Sequence, residues 1–266
     1  MIKRNKILIL RRIIQFCIIT LFVGAYNFGW DILKGNFSTA EVLNSFYLSD
    51  PYFFFQMLAS GFIPNKDVII GVVIISLFYF LLRGRIFCSW VCPINIITDS
   101  ASWLRRKLHI QSLISKEKIS RNIRFYVLGL GLILSAIIGL AAFELINPIS
   151  MLYRVLIYGS LSGLYVVILV FLLDLFILKH AWCGYICPVG AYYSLLGRYG
   201  ILKVFHSQEN CTHCMKCKHV CPEVEVLDII GIKSGNINKG ACTDCGRCID
   251  VCDDNSLNFK ITLKQK

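Results

Sequence analysis

The sequence predicts an integral membrane, all-α domain followed by a small C-terminal α+β domain. Three observations carry that expectation. Long apolar stretches recur through a chain of 266 residues that is 56% hydrophobic and only 17% charged. Its mean hydropathy is +0.63, whereas soluble domains are nearer a quarter charged. Residues 1–206 hold 20 basic and 8 acidic side chains, which is the whole of the +12 net charge, while residues 207–266 hold 8 of each. Finally, 12 of the 13 cysteines fall into four tight groups with two different spacings. The division falls at 1–205 for the membrane part and 206–266 for the soluble part.

The membrane part is read as four transmembrane helices arranged as two similar helix pairs. The apolar stretches are residues 13–30, 68–82, 123–143 and 155–178, set against the roughly 20 residues that a spanning helix needs. The second is short, but Phe62, Ile63 and Pro64 before it and Ile86 and Phe87 after it extend its apolar reach. Each half runs helix, outer loop, helix, C-x3-C-P and an amphipathic stretch, the pattern of an internal duplication. Phe87, Cys88, Trp90, Cys92 and Pro93 overlay Trp182, Cys183, Tyr185, Cys187 and Pro188. The outer loops differ in length. Residues 31–67 carry the aromatic run Tyr52, Phe53, Phe54 and Phe55, suited to anchoring at the lipid interface. Residues 144–154 are short and contain Asn147 and Pro148.

Charge sets the orientation. Lys3, Arg4, Lys6, Arg11 and Arg12 precede the first stretch. Arg83, Arg85, Arg105, Arg106, Lys107, Lys116, Lys118, Arg121 and Arg124 fill the central loop, and eleven more lie from Lys179 onward. Only Lys34, Lys66 and Arg154 fall on the other side, so the count is 25 against 3. The positive-inside rule then makes the chain a multi-pass protein of the bacterial inner (cytoplasmic) membrane, with both termini cytoplasmic. Arg11 and Arg12 with Phe16 have a faint twin-arginine look, but no Ala-x-Ala site follows and three more spans do, so the first segment is expected to be retained. Positive charge that flanks apolar spans excludes a nucleic-acid stripe. The crowded, regular cysteines exclude a secreted disulfide scaffold.

The two cysteine spacings call for separate readings. Cys211, Cys214, Cys217 and Cys221, then Cys242, Cys245, Cys248 and Cys252, each form C-x2-C-x2-C-x3-C. Three closely spaced cysteines hold one cubane while the fourth reaches the other cluster. Cluster 1 therefore takes Cys211, Cys214, Cys217 and Cys252, and cluster 2 takes Cys242, Cys245, Cys248 and Cys221. That makes residues 206–266 a dicluster ferredoxin-like domain with two 4Fe-4S clusters. Zinc also accepts thiolates, but structural zinc pairs two C-x2-4-C units instead of a triple. Pro222 follows Cys221 as the ferredoxin pattern asks, whereas Asp253 follows Cys252, a change expected to tune a cluster without removing a ligand. His213 and His219 inside the first run are expected to be exposed filler.

In the C-x3-C-P motifs, residues i and i+4 share a helix face, and the proline breaks the helix at the second cysteine. Cys88, Cys92, Cys183 and Cys187 together supply four thiolates, the complement of one further 4Fe-4S cluster. Small buried cysteines packing between helices are the plain alternative, and that is the expectation for the lone Cys17. Asp174, nine residues before Cys183 in the fourth stretch, is a functional candidate because an intramembrane carboxylate is costly; pairing with Lys or Arg is its structural alternative. Glu144 and Asp50 are the other candidates for a catalytic role. With Asn147, Tyr153, Arg154, Pro51 and Tyr52 they are expected to line a quinone-head pocket at the outer face.

Phe87-Cys-Ser-Trp-Val-Cys-Pro-Ile-Asn-Ile-Ile-Thr-Asp99, Ile146-Asn-Pro-Ile-Ser150 and Trp182-Cys-Gly-Tyr-Ile-Cys-Pro-Val-Gly-Ala191, with Ser49-Asp-Pro51 and Leu58-Ala-Ser-Gly61, carry a resemblance. Over nearly its whole length the chain resembles the NapH/MauN group of membrane ferredoxin-type proteins. The resemblance implies a component of a quinol dehydrogenase complex. It would oxidise menaquinol or ubiquinol and pass electrons, with the periplasmic ferredoxin NapG, toward periplasmic nitrate reductase. Relatives with the same core serve other pathways; the outer-loop matches favour nitrate. Cytoplasmic clusters and a periplasmic acceptor together imply that electrons cross the membrane. Two other functions fit the cysteines: an iron–sulfur assembly or maturation factor for a respiratory reductase or oxidase, and a structural zinc-binding anchor.

Overall fold

The structure, a computed structural model, describes residues 5–110 and 119–262. Lys3, Arg4, Lys116, Lys118, Lys264 and Lys266, which enter the charge count, lie outside the described residues. Contacts divide the chain into two compact units: Met1–Gln15, Phe78–Val91 and Tyr193–Lys266 in one, and Phe16–Leu77 with Cys92–Tyr192 in the other. The first unit is larger than the small domain drawn at residue 206. It takes in the start of the first helix and the segment that carries Cys88.

The four apolar stretches are helical, but two of them break off inside their expected bounds. Helix α1, Lys6–Phe28, has 23 residues and is, among the described residues, the one helix long and apolar enough to cross a membrane. After α1 an antiparallel sheet joins β1 (Leu33–Gly35), β2 (Thr39–Val42) and β3 (Phe46–Ser49) in that order, with Thr39 opposite Ser49. These strands are too short for any alternation to show in the sequence. Next come α2 (Pro51–Ala59) and α3 (Lys66–Leu82), the latter of 17 residues. The first C-x3-C pair begins in α4 (Ile86–Trp90), and α5 (Ile94–Lys107) follows. Helix α5 buries Ile94, Thr98, Ala101, Ser102 and Arg105 while Trp103 is exposed, the face expected of an amphipathic helix.

In the second half, α6 (Ile123–Ile138) has 16 residues and stops at Gly139, a left-handed cap at φ +71°. The expected continuation to residue 143 is instead a 3-10 turn, Ala142–Leu145. The stretch at 155–178 is likewise two helices. Helix α7 is Pro148–Tyr158, ended by Gly159 at φ +62°, and α8 is Leu161–Leu172, continued by a π-helical turn over Leu173–Ile177. Glycine at the C-terminal cap is the physical reason for both corrections: it takes the left-handed conformation without a Cβ penalty and ends a helix inside an apolar run. At about 1.5 Å per residue, 16 or 17 residues span about 25 Å, short of the roughly 30 Å hydrocarbon core.

The duplication has a counterpart beyond the cysteines. Asp50 caps α2 by accepting from the Phe53 amide at 3.2 Å, with Pro51 as the first helical residue. Asn147 caps α7 by accepting from the Ile149 amide at 3.1 Å, with Pro148 first. An Asx cap followed by proline is a strong helix start. Both segments expected as outer loops thus contain short helices. Helix α2 packs on α6 through Tyr52, 1% exposed, whose hydroxyl donates to the Leu128 carbonyl. A Cβ on Gly131 would stand 2.1 Å from that hydroxyl.

Helix α9 (Pro188–Leu196) is followed, in the first unit, by a three-stranded antiparallel sheet, β5–β4–β6, of β4 (Leu202–His206), β5 (Gly235–Asn236) and β6 (Leu257–Ile261). Two short helices, α10 (Lys216–Val220) and α11 (Arg247–Asp250), complete the expected α+β module. Its core is Val204, Val226, Leu227, Ile230, Ile237 and Leu257, packed with Cys217, Cys221, Cys242 and Cys248.

Candidate functional site

Most of the C-terminal cysteines lie near one another. Cys221, Cys242, Cys245 and Cys248 line one cavity together with Val204, Val226 and Leu227. All four are buried, whereas Cys211 and Cys252 are partly exposed and Cys214 is exposed. The other set converges by charge. Burial raises the Cys217 thiol above its ordinary value, and Cys252 and Cys214 add to the rise. Burial likewise pushes Cys248 well up, reinforced by Cys245, Cys242, Cys221 and Cys217. Thiols held protonated by an apolar shell and by one another ionise when a metal supplies positive charge, so this donor set fits iron–sulfur ligation. Among the described residues no three His, Cys, Asp or Glu side chains meet around a single metal ion.

Local backbone builds both loops in the same way. Met215 at φ +56° and Gly246 at φ +70° are the left-handed residues from which α10 and α11 start, just ahead of Cys217 and Cys248. His213 and His219 are exposed. Asp253, standing where the pattern has proline, pairs with Lys216 at 2.6 Å on the surface. An exposed pair of this kind contributes little, about 0–1 kcal/mol.

Sequence reasoning missed the arginines. Arg11, Arg83, Arg85, Arg105, Arg121 and Arg124 entered the charge count as cytoplasmic markers, yet all six are buried. In the first unit three of them hold the Cys242–Cys248 loop and its flanks. Arg83, fully buried, pairs with Asp244 at 3.0 Å and donates to the carbonyls of Ile237 and Lys239. Arg85 pairs with Glu223 at 2.7 Å and donates to the Ala241 carbonyl. Arg11 donates to the carbonyls of Ser89 and Cys245. Arg83 also sits at φ +148°, an outlier for a residue with a long side chain. Such strain persists only where surrounding bonds over-determine it, and the contacts of the Arg83 guanidinium do so here. The missed signal was acidic: Asp244 and Glu223 lie inside or beside a cysteine run in a module with no excess charge to locate them.

The C-x3-C-P pairs keep the helix break but not the regular helix. Cys88 is in α4 and Cys92 follows it, buried. Cys183 lies in a π-helical turn, Trp182–Ile186, and Cys187 is extended at ψ 112° just before Pro188. Proline enforces that extension, and π turns are frequent at functional sites. The Cys187 sulfur accepts from the Gly190 amide at 3.5 Å. Asp174, fully buried, accepts from the Trp182 amide at 3.1 Å, one residue before Cys183, while Arg105 donates to the Asp174 carbonyl. Asp174 therefore positions the second motif through a backbone bond, and its contact with Arg105 runs through its backbone carbonyl.

Asp50 and Glu144 meet inside the second unit. Glu144 accepts from Ser38, Ser150 and Asn147, and the Asp50 amide donates to the Ser38 carbonyl at 2.9 Å. The Asp50 carboxyl is raised to about 7, first by burial and then by Glu144. Its Oδ1 is buried with no hydrogen-bond partner among the described residues. Tyr52 is held above the usual phenol range by burial, then by Cys187 and Asp50. The Tyr52 ring stands 5.7 Å from Phe143, which stacks 6.4 Å from Trp182. The start of α2 is buried, and Tyr52 there lies within electrostatic reach of Cys187. The Tyr153 hydroxyl donates to the Gly35 carbonyl.

Comparison with known proteins bears on these cysteines directly. The 4Fe-4S binding domain family matches residues 67–111 and again 160–205, so each C-x3-C-P pair lies in one copy. The 4Fe-4S dicluster domain family matches residues 203–253. The ferredoxin-type protein NapH of Escherichia coli (strain K12) is 40% identical over 98% of this chain and 91% of its own length. The chain belongs to the NapH/MauN family. The methylamine utilization ferredoxin-type protein MauN of Methylobacillus flagellatus is 42% identical over 98% of this chain and 92% of its own. A more distant relative, the putative electron transport protein YccM of Escherichia coli (strain K12), is 24% identical over 73% of this chain and 56% of its own. No solved structure matches. Family membership and the 4Fe-4S domains indicate an electron-transfer role, and the double match bears out the internal duplication.

Proposed function

We propose that this protein oxidises a quinol in the bacterial inner membrane and passes the electrons through 4Fe-4S clusters, with a NapG-type periplasmic ferredoxin, toward a periplasmic nitrate reductase. Cys211, Cys214, Cys217 and Cys252 hold one cluster; Cys221, Cys242, Cys245 and Cys248 hold another. Cys88, Cys92, Cys183 and Cys187 hold a further one, a reading supported by the repeated 4Fe-4S match. When loaded, such clusters supply one-electron carriers. The four apolar helices cross the membrane, the short ones matched by local thinning or flanking side chains, with both termini cytoplasmic.

The observation that carries the quinol reading is buried Tyr52, within electrostatic reach of both Asp50 and Cys187. Quinol oxidation releases two protons and two electrons. A buried carboxylate with an open oxygen lone pair, aromatic walls and a ligand cysteine within reach are the parts it needs. Asp50 takes one of the two protons and solvent the other, Glu144 is held in place by Ser38, Ser150 and Asn147, and Tyr52 orients the head group. The test is anaerobic purification with the NapG-type partner, followed by addition of a menaquinol analogue. Cluster reduction within the turnover time, seen by EPR, and its loss in Asp50→Asn with cluster content retained, support the proposal. An active, fully loaded complex that the analogue does not reduce sinks it. If deletion of the protein instead lowers the cofactor content of the reductase, the maturation role takes its place.

A further inference from the structure

The two cysteine loops of the soluble module are held very differently. The loop from Cys242 to Cys248 is gripped from outside the module. The carbonyls of Ala241, Thr243, Asp244 and Cys245 accept from Arg85, Ser89, Trp90 and Arg11, at 2.8, 2.6, 3.1 and 3.2 Å. Three of these donors flank Cys88 in sequence, and Ser89 Oγ and Trp90 Nε1 belong to the two residues that follow it. The Ser89 carbonyl in turn accepts from Arg11 and Gln15 of α1, at 2.9 and 3.0 Å. The loop from Cys211 to Cys217 is tied within the module by bonds from Thr212 to Asp254 and from Lys216 to Asp253. That loop also keeps Cys214 exposed.

A charge pair lies at the gripped loop. Asp244 sits between Cys242 and Cys245, its Oδ1 3.4 Å from the Cys242 sulfur. Once Cys242 is a thiolate ligand it has no proton to donate, and the carboxylate faces an electron-rich sulfur. Arg83, bonded to the same Oδ1 and wholly buried, offsets that charge. Burial removes the water that would screen either group, and local charge is one of the levers on a cluster's potential.

We infer that the Cys242–Cys248 loop is the face through which the soluble module exchanges electrons with the Cys88 segment. In this arrangement Arg83 and Asp244 are positioning residues that set the potential of that cluster alone. The exposed Cys214 edge is then the one left for a soluble partner. The inference rests on the 4Fe-4S assignment above. When loaded, two clusters would each take one of the two electrons a quinol gives up, while one of its protons goes to Asp50 and the other to solvent.

The experiment is EPR-monitored redox titration of the anaerobically purified full chain, comparing wild type, Arg83→Gln, Asp244→Asn and the double variant. Removing the cation disfavours the added electron and lowers a potential, while removing the anion raises it. The two single variants should shift one of the two soluble-cluster signals in opposite directions and leave the other unmoved. The double variant should return toward wild type. A merely structural role would broaden or lose signals without opposite signs. Rapid-freeze EPR after dithionite-free addition of a menaquinol analogue should show the shifted signal reduced first. Shifts in the same direction, equal shifts of both signals, or the shifted signal reduced second would overturn the inference. If Arg83→Gln does not load clusters, Trp90→Phe and Arg83→Lys keep it open to refutation: the first removes one loop bond and should slow reduction, and the second keeps the charge and should keep the potential. If the analogue reduces neither cluster in the wild type, the quinol reading fails while the titration still decides this one.

Discussion

Replacing Arg85 by methionine should destabilise the protein far more than a surface arginine would. The guanidinium is 1% exposed and lies 2.7 Å from the Glu223 carboxylate, itself 3% exposed. It also donates to the Ala241 carbonyl at 2.8 Å. Arg85→Met leaves a buried carboxylate without its partner, which costs about 3–5 kcal/mol. Glu223→Met strands the guanidinium but leaves it the Ala241 carbonyl, so its cost falls toward the lower end of that range. The double replacement removes both charges and fills the space with apolar atoms, a change that is often neutral in itself. What remains is the orphaned Ala241 carbonyl, about 1–3 kcal/mol. The double variant should therefore be no worse than the milder single one, giving a coupling of several kcal/mol. Unfolding in detergent, followed by loss of the iron–sulfur absorbance, measures this. At about 1.4 kcal/mol per decade, the Arg85→Met midpoint stability should fall by roughly two to three and a half orders of magnitude in equilibrium constant. Single variants within about 1 kcal/mol of wild type, or costs that simply add, would refute the claim that the pair is a desolvated unit.

Three further outcomes follow from the geometry. Asp50 has a folded value raised from 3.8 to about 7, so the folded state binds the extra proton between those values and stability should fall as pH rises from about 4 to 7. Asp50→Asn should flatten that slope in pH-dependent melting, and an unchanged slope would contradict the burial argument. Asp174→Ala should cost about 1–3 kcal/mol by leaving the buried Trp182 amide unsatisfied, with reduced iron content, whereas Asp174→Asn keeps an oxygen acceptor and should retain most of both. Gly84→Ala should approach or exceed the top of the roughly 1–3 kcal/mol range for overpacking, because its Cβ would stand 1.9 Å from the Tyr193 carbonyl oxygen; wild-type expression and melting would rule that contact out.

The legible part of the site was local. Cys211 to Cys252 declare their chemistry by spacing, because three thiolates on one short loop are what a cubane edge requires. Pro93 and Pro188 foretold where the helices break, and the repeated motif foretold two similar halves. The helix ends at Gly139 and Gly159 were present in the sequence but hidden by the apolar residues around them. Hydropathy alone ran the third stretch through its cap and merged the fourth with α7. The Asx-Pro pairs at Asp50 and Asn147 were noticed as loop features, although each is also a helix start.

What the sequence alone determined, then, is the donor set, the apolar character and the electroneutral module, all properties of neighbours along the chain. The tertiary structure decided which charges are markers and which are fasteners. Arg83 finds Asp244 and Arg85 finds Glu223 across separations of 161 and 138 residues, and Tyr52 reaches Cys187 across a comparable stretch. A charge count treats every arginine as exposed to the same potential. Burial changes that, because a guanidinium without water must be matched by particular acceptors, and only the folded chain specifies which ones.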